Sequence, residues 1–382
     1  QAGSLYVADQ NNHRVQHYTP GTPGWTQWNL NGFGTPTNAL VLSLASFNGH
    51  IYAGSDNPST GAQLWRNPTD AAGGWSALTS DGFGDPANGG INHLLSFSGH
   101  LYAGTWNWNA TSNSSNGGQL WRSQNGSDWT RVVNNGFGDP NNGEVFRLAA
   151  FGNQLYASTW SYSEGRGAEI WRSPTGNAGS WSRVAVNGFG DGANEAIISF
   201  ETFGGQLYAG TVNSVTGGQI WRSADGVTWS QVNTAGFGFS SNWAISALAA
   251  FDGNLYASMR DGGQVWRCQF CDGSDWQRVV NAGFGNTATT RASALAAVGD
   301  ALYLTIGNYS TGLEVWRTVD GIDWQQVGFA GLGDGNNRAS FWDNSVLAEG
   351  NRLLVGTWNT ANGGEVWSYQ PRSIYLPVAA RQ

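Results

Sequence analysis

Five tryptophans stand where a packed core gives them no obvious duty. Trp106, Trp160 and Trp358 each follow a Gly-Thr or Ser-Thr pair at the end of three equivalent segments, and Trp243 and Trp342 fall in stretches after two glycine-rich turns. These positions read as loops, and an indole on a solvent-facing loop has no core to fill. Trp108, Tyr162, Tyr309 and Phe341 lie close by in sequence, among Asn and Ser. Aromatic faces stack on the C–H faces of sugar rings, while amides and hydroxyls bond the ring hydroxyls. The five tryptophans are therefore the candidate ligand-binding residues, with glycans as the candidate ligand. The competing reading is that these rings cover loops or pack against neighbouring strands.

Catalytic chemistry is harder to assemble. Glu144 and Glu195 follow equivalent turns in adjacent copies of a repeat, which lets them face each other near the mouth of a central channel, and paired carboxylates are what glycoside hydrolysis needs. Arg147, Arg291 and Arg338 fall outside the repeated Trp-Arg positions. A sialidase-like site would join such arginines to a Tyr–Glu pair, and the sequence assigns no such pair. All 5 histidines lie in the first part of the chain, with His50 and His100 at the same turn position of adjacent copies. That marks a turn rather than a metal ligand. No residue is assigned as catalytic or metal-ligating, and no cofactor is expected. Cys268 and Cys271 are the only 2 cysteines. With no further Cys or His nearby in sequence, zinc is disfavoured and a small loop disulfide is expected. Asn38, Asn88, Asn142, Asn194, Asn242 and Asn337 follow the glycine-rich turns. Asx-type turns explain them more cheaply than a cation site does.

The elements that must position these groups form a repeat of ~50 residues with landmarks in fixed order. An LYAGT-type segment begins at Leu5, Ile51, Leu101, Leu155, Leu207, Leu255, Leu302 and Leu353. A QLWRS-type segment carries Trp65, Trp121, Trp171, Trp221, Trp266, Trp316 and Trp367. A lone Trp follows at Trp25, Trp75, Trp129, Trp181, Trp229, Trp276 and Trp324. GFG then starts at Gly32, Gly82, Gly136, Gly188, Gly236 and Gly283, with GLG at Gly331, and a small apolar stretch leads into the next copy. The segments are strand-length and rich in β-formers. Asn125-Gly126, Asp225-Gly226 and Asp320-Gly321 are two-residue hairpin signals. No stretch shows helical periodicity with caps.

Four antiparallel strands per repeat describe an all-β protein, a β-propeller of four-stranded blades. The repeated Trp and Phe then fill the seams between blades. Residues 1–371 are expected to form a single propeller domain, and 372–382 a strand-like tail, with Ile374, Tyr375 and Val378, able to complete a blade. Eight blades are preferred over seven, because eight uses every copy. With seven, the strand at 24–30 would complete the last sheet and leave 1–20 as a spare arm.

Composition bounds the role. The net charge is −8, and there are 56 Gly, 21 Trp and no Lys. An acidic chain argues against nucleic acid as a partner. No apolar run reaches the ~20 residues of a membrane span. The opening at Gln1 reads as a mature exported protein, so a secreted or cell-surface location is expected. The segment LYVADQNNHRVQHY at 5–18 resembles an NHL repeat. The hairpins RSADGVTW at 222–229, RTVDGIDW at 317–324 and RSQNGSDW at 122–129 resemble the Asp-box (BNR-type) hairpins of sialidase-like propellers, departing by the Gly directly after the Asp or Asn. In those families the hairpin is structural, so the resemblance implies fold rather than activity. The Trp-rich, Gly-rich style is also similar to bacterial propeller lectins. The resulting expectation is a non-enzymatic binding propeller that recognises glycans or cell-surface polymers. Self-assembly with copies of itself through the chain ends is the alternative, and a glycosidase or sialidase-like enzyme comes third.

Overall fold

The computed structural model describes residues 5–9, 14–18 and 24–371, apart from 69–71, 109–113, 287 and 341. The expected tail at 372–382 and Phe341 lie outside the described residues. The rest is a ring of four-stranded antiparallel blades. Blade 1 runs through Val41–Phe47, His50–Ser55, Leu64–Pro68 and Ser76–Thr79. Blades 2 to 6 repeat this order, from an inner strand at the hub to an outer strand at the rim. Their inner strands are Asn88–Phe97, Asn142–Phe151, Ala196–Phe203, Ile245–Phe251 and Thr289–Val298.

Among the described residues the blade count is seven rather than eight. Blade 7 takes Val346–Glu349, Arg352–Gly356 and Val366–Tyr369 from the end of the chain and Trp25–Gln27 from its beginning. The register is Trp25↔Tyr369, Thr26↔Ser368 and Gln27↔Trp367. That pairing supplies the missing outer strand, so no extra blade is needed to close the ring. Leu5–Asp9 and Arg14–Tyr18 pair with each other as a separate hairpin.

Each seam between blades holds its own apolar cluster. Tyr52 and Leu64 of blade 1 pack with Ile91 and Leu101 of blade 2, against Trp121 and Trp129. Trp28, Leu354 and Val366 pack with Val41 and Ile51 across the seam where blade 7 meets blade 1. The GFG phenylalanine is central to six of the seams, and Leu332 of the GLG turn takes its place in the seventh. Phe137 stacks on Trp171 at 4.8 Å and meets the edge of Trp181 at 5.5 Å, and Phe237 does the same with Trp266 and Trp276. Each such pair contributes about 0.5–1.5 kcal/mol beyond its buried area.

The turn that delivers the ring is strained. Gly136 and Phe137 both have positive φ, 56° and 62°, a region that costs a bulky residue about 1–3 kcal/mol. The repeated asparagine offsets that cost. Asn142 Nδ2 donates to Gly136 O at 2.9 Å and to Glu169 Oε2 at 2.9 Å, and Glu169 accepts in turn from Trp171 Nε1. Asn38, Asn88, Asn194, Asn242 and Asn337 make the same pair of bonds. The asparagine column therefore ties the turn to the third strand.

Candidate functional site

The residue after each LYAGT-type segment has a defined place in this ring. It is Asp56, Trp106, Trp160, Val212, Arg260, Gly307 and Trp358 in blades 1 to 7. At this point the second strand bridges to the start of an inner strand in the next blade. The bridges are Asp56↔Gly90, Trp106↔Glu144, Trp160↔Ala196, Val212↔Ala244 and Trp358↔Leu40. The positions read as loop tips are therefore strand ends at the mouth of the central channel.

Five of them, all but Val212 and Gly307, line one cavity of about 530 Å³. Its wall holds Trp106, Trp160, Trp243, Trp342 and Trp358, together with Asp56, Glu144, Glu195, Arg260 and Phe146. These residues come from blades 1 to 5 and blade 7, and only the hub axis is shared by all of them. Trp106, Trp160, Trp243 and Trp358 are half-buried. Trp342 is nearly buried and packs edge-on to Phe146 at 5.7 Å. All five tryptophans singled out in the sequence thus share one site.

Carboxyl groups interrupt the aromatic wall. Glu144 is buried, with Oε1 accepting from Tyr162 Oη at 2.7 Å and Oε2 from Asn92 Nδ2 at 2.7 Å. Burial pushes its pKa up to about 7, against the lowering effect of those two bonds. Asp56 accepts from the Leu40 amide at 2.7 Å, and burial pushes it up to about 7 as well. Burial also raises Glu195. Glu144 and Glu195 line the same cavity. The Tyr–Glu pair that the sequence did not assign is present, as Tyr162 and Glu144.

Arginines mark the opposite side. The Arg260 guanidinium lies 3.9 Å from the ring centroid of Trp342 and 5.2 Å from that of Trp243. Burial, with Arg291 nearby, lowers its pKa to about 9. Arg291 donates to Tyr309 Oη at 2.5 Å and lies over Trp358 at 5.3 Å. Asp261 accepts from Trp243 Nε1. The three arginines outside the repeat do not converge: Arg291 lies on the inner strand of blade 6 over Trp358, Arg338 is exposed, and Arg147 is spent below the cavity.

Below the cavity the channel is plugged. The inner strand of blade 7, Val346–Glu349, is entered through a short turn, Asp343–Ser345. Asp343 pairs with Arg147 of blade 3 at 2.7 Å, and Asn344 Nδ2 donates to Asn92 O of blade 2 at 2.7 Å. His93 Nδ1 accepts from the Leu148 amide at 2.8 Å, and burial holds this imidazole neutral well below its usual pKa. His50 and His100 instead bond the carbonyls of their own turns, at 2.9 and 3.1 Å. Cys268 and Cys271 are joined as a disulfide. Cys271 takes the hairpin place that Gly126 and Gly226 hold elsewhere, and it packs against Tyr208. Among the described residues no group of three or more His, Cys, Asp or Glu is placed to hold a metal ion.

Residues 128–326, just over half of the chain, match the DUF6242 beta propeller domain. The chain belongs to that family. No curated protein matches the sequence. Among solved structures, one from work on two prolyl endopeptidases and their inter-domain dynamics is 11% identical with a TM-score of 0.50, over 88% of this chain and 52% of that one. A puromycin hydrolase is 11% identical with a TM-score of 0.43, over 84% of this chain and 58% of that one. The chain thus spans little more than half the length of either. At this identity the first likeness concerns the fold alone, and it adds nothing about the cavity.

Asp56 and Arg260 are the site residues that a search for aromatic rings misses. They share the register of Trp106, Trp160 and Trp358. Reading that single position through all copies finds them.

Proposed function

We propose that this chain is a non-catalytic, glycan-binding propeller of the extracellular space or cell surface. The observation that carries the reading is the convergence of Trp106, Trp160, Trp243, Trp342 and Trp358 on one hub cavity. Indole faces stack on sugar rings, while Glu144, Asp56 and Asn92 offer polar atoms within the same wall. The volume lies within the roughly 300–1,000 Å³ of small-ligand pockets. A cationic ligand fits less well, because Arg260 already lies over Trp342 and Trp243. The Cys268–Cys271 disulfide supports an oxidising compartment.

A glycan array decides the matter. Trp106→Ala, Trp160→Ala and Trp358→Ala are each expected to weaken binding about tenfold or more, with a melting temperature close to that of the unchanged protein. Binding that survives all three changes, or no binding to any sugar, overturns the reading. A second reading, a sialidase-like hydrolase, rests on the Tyr162–Glu144 hydrogen bond in the cavity that Arg260 lines from the opposite side. It requires release of a chromogenic glycoside's leaving group that Tyr162→Phe and Glu144→Gln both abolish.

A further inference from the structure

The cavity has a floor and a shelf, and together they constrain how a glycan would sit. The floor is the plug. Asp343, Asn344 and Ser345 lie in the central channel yet are only 7%, 3% and 0% exposed. An open tunnel would wet them. Their bonds reach from blade 7 to Arg147 of blade 3 and Asn92 of blade 2, across the axis rather than to adjacent blades. Trp342 caps the turn and forms part of the cavity wall. A polymer cannot thread through this hub.

The shelf opens outward over blades 2 and 3. A second depression of about 560 Å³ is bounded by Trp108, Tyr162, Ser163 and Glu164. It shares Trp106, Trp160, Tyr162 and Glu195 with the hub cavity, so the two adjoin along these residues. Trp108 and Tyr162 meet edge-to-face at 5.6 Å. Tyr162 is 38% exposed, although its hydroxyl bonds Glu144 inside the cavity. It therefore forms the lip, with one end in the cavity and one face on the shelf. A third depression, over blades 4 and 5, is bounded by Ser214, Ser240, Ser241 and Trp243. It has no second ring comparable to Trp108 and makes the poorer platform.

We propose that the site recognises the end of an unbranched polysaccharide: the terminal unit enters the closed hub cavity, and the units behind it leave over Tyr162 and lie on Trp108. The proposal rests on the glycan reading above and adds direction to it. A dead-end cavity cannot accept the middle of a chain, whereas a shelf on one side favours oligomers over single sugars.

The test uses oligosaccharide ladders of glucose, N-acetylglucosamine, mannose and galacturonic acid, from the monosaccharide upward, with affinity and stoichiometry read by calorimetry. For the ladder that binds, affinity is expected to rise about tenfold beyond the shortest bound sugar as one further ring stacks. Trp108→Ala should remove that gain and leave the shortest sugar's affinity unchanged. The number of protein molecules per sugar chain should stay fixed as the chain lengthens. Stoichiometry that grows with chain length overturns end recognition. So does a length gain that persists in Trp108→Ala, or an affinity independent of length. In each of those cases glycan binding itself survives. If no ladder binds at all, the glycan reading falls and this proposal falls with it.

Discussion

Glu144 sits among indoles with two neutral partners, Tyr162 and Asn92, and that surrounding sets its acidity. Its carboxyl keeps a proton up to about pH 7 in the folded chain, against an ordinary value of 4.5. Between those values the folded state holds a proton that the unfolded state has released. The folded state therefore loses stability as the pH rises through this window, and the loss is complete above it. Asp56 and Glu201, raised to about 7, and Asp343, raised to about 6, act in the same direction. His93 acts oppositely, because the unfolded chain takes up a proton below 6.5 that the buried ring refuses. Glu144→Gln removes one of the carboxyl contributions, since an amide oxygen can still accept from Tyr162. Its melting temperature is expected to match the parent near about pH 4.5 and to exceed it increasingly up to about pH 8. A constant offset across that range would mean that Glu144 ionises as it does in water. The sequence hides this. It shows where Trp160 falls in the repeat, but not that Trp160 and its neighbours will strip water from Glu144.

At the scale of elements, the hairpins join one blade to the next. Gly226 has φ +70°, and a Cβ there would lie 1.8 Å from the Tyr156 hydroxyl of the preceding blade. Gly126, Gly176 and Gly321 meet Tyr52, Tyr102 and Tyr256 in the same way. The neighbouring Asp225 accepts from the Val227 and Thr228 amides at 2.8 and 2.7 Å, which holds its carboxyl well below the usual range. Gly226→Val is expected to cost about 2–4 kcal/mol, from left-handed strain together with displacement of a buried ring. In a Tyr156→Phe background the added cost should shrink, because the hydroxyl at 1.8 Å is gone and only ring carbons at 2.6 and 3.0 Å remain to be displaced. Urea unfolding of the four proteins measures the coupling, and equal costs in both backgrounds would show that the hairpin does not rest on its neighbour. The turn itself is legible in Asp225-Gly226, because Asp accepts from the amides that follow it and Gly takes the positive φ. The connection is not the expected two-residue loop, however: residues 224–229 lie between the strands that end at Ser223 and begin at Ser230. The turn's contact with Tyr156 is not legible, because that partner lies in another blade. The plug is half legible: Asp343-Asn344-Ser345 breaks an apolar strand pattern, but its partners Arg147 and Asn92 are distant in sequence.

At the scale of the whole molecule, closure depends on a short strand far from its partner. Repeats reveal blades because each blade is local. They do not reveal the count, because Trp25 and Tyr369 pair across nearly the full chain, and counting copies favours eight. Three further contacts fix the closure. Trp28 N donates to Val366 O at 2.7 Å, Val366 N donates to Asn29 Oδ1 at 2.7 Å, and Trp25 Nε1 reaches Val327 O at 3.2 Å. Trp25 and Trp28 are 6% and 5% exposed. Replacing both with Ala should lower the melting temperature and cost about 3–5 kcal/mol for each ring removed, less whatever the site recovers by collapse. Removing residues 1–30 goes further. It leaves the backbone of Val366–Tyr369 as an open edge, and an open edge recruits strands from other molecules. That truncation is expected to self-associate in light scattering, whereas removal of 1–20 should leave a monomer with an unchanged melt. The contrast separates two uses of the same end of the chain. If loss of 1–20 instead dissolves an assembly formed by the intact protein, the hairpin of Leu5–Asp9 and Arg14–Tyr18 serves a neighbouring copy. The ring would then be a self-assembling subunit whose hub cavity remains free for ligand.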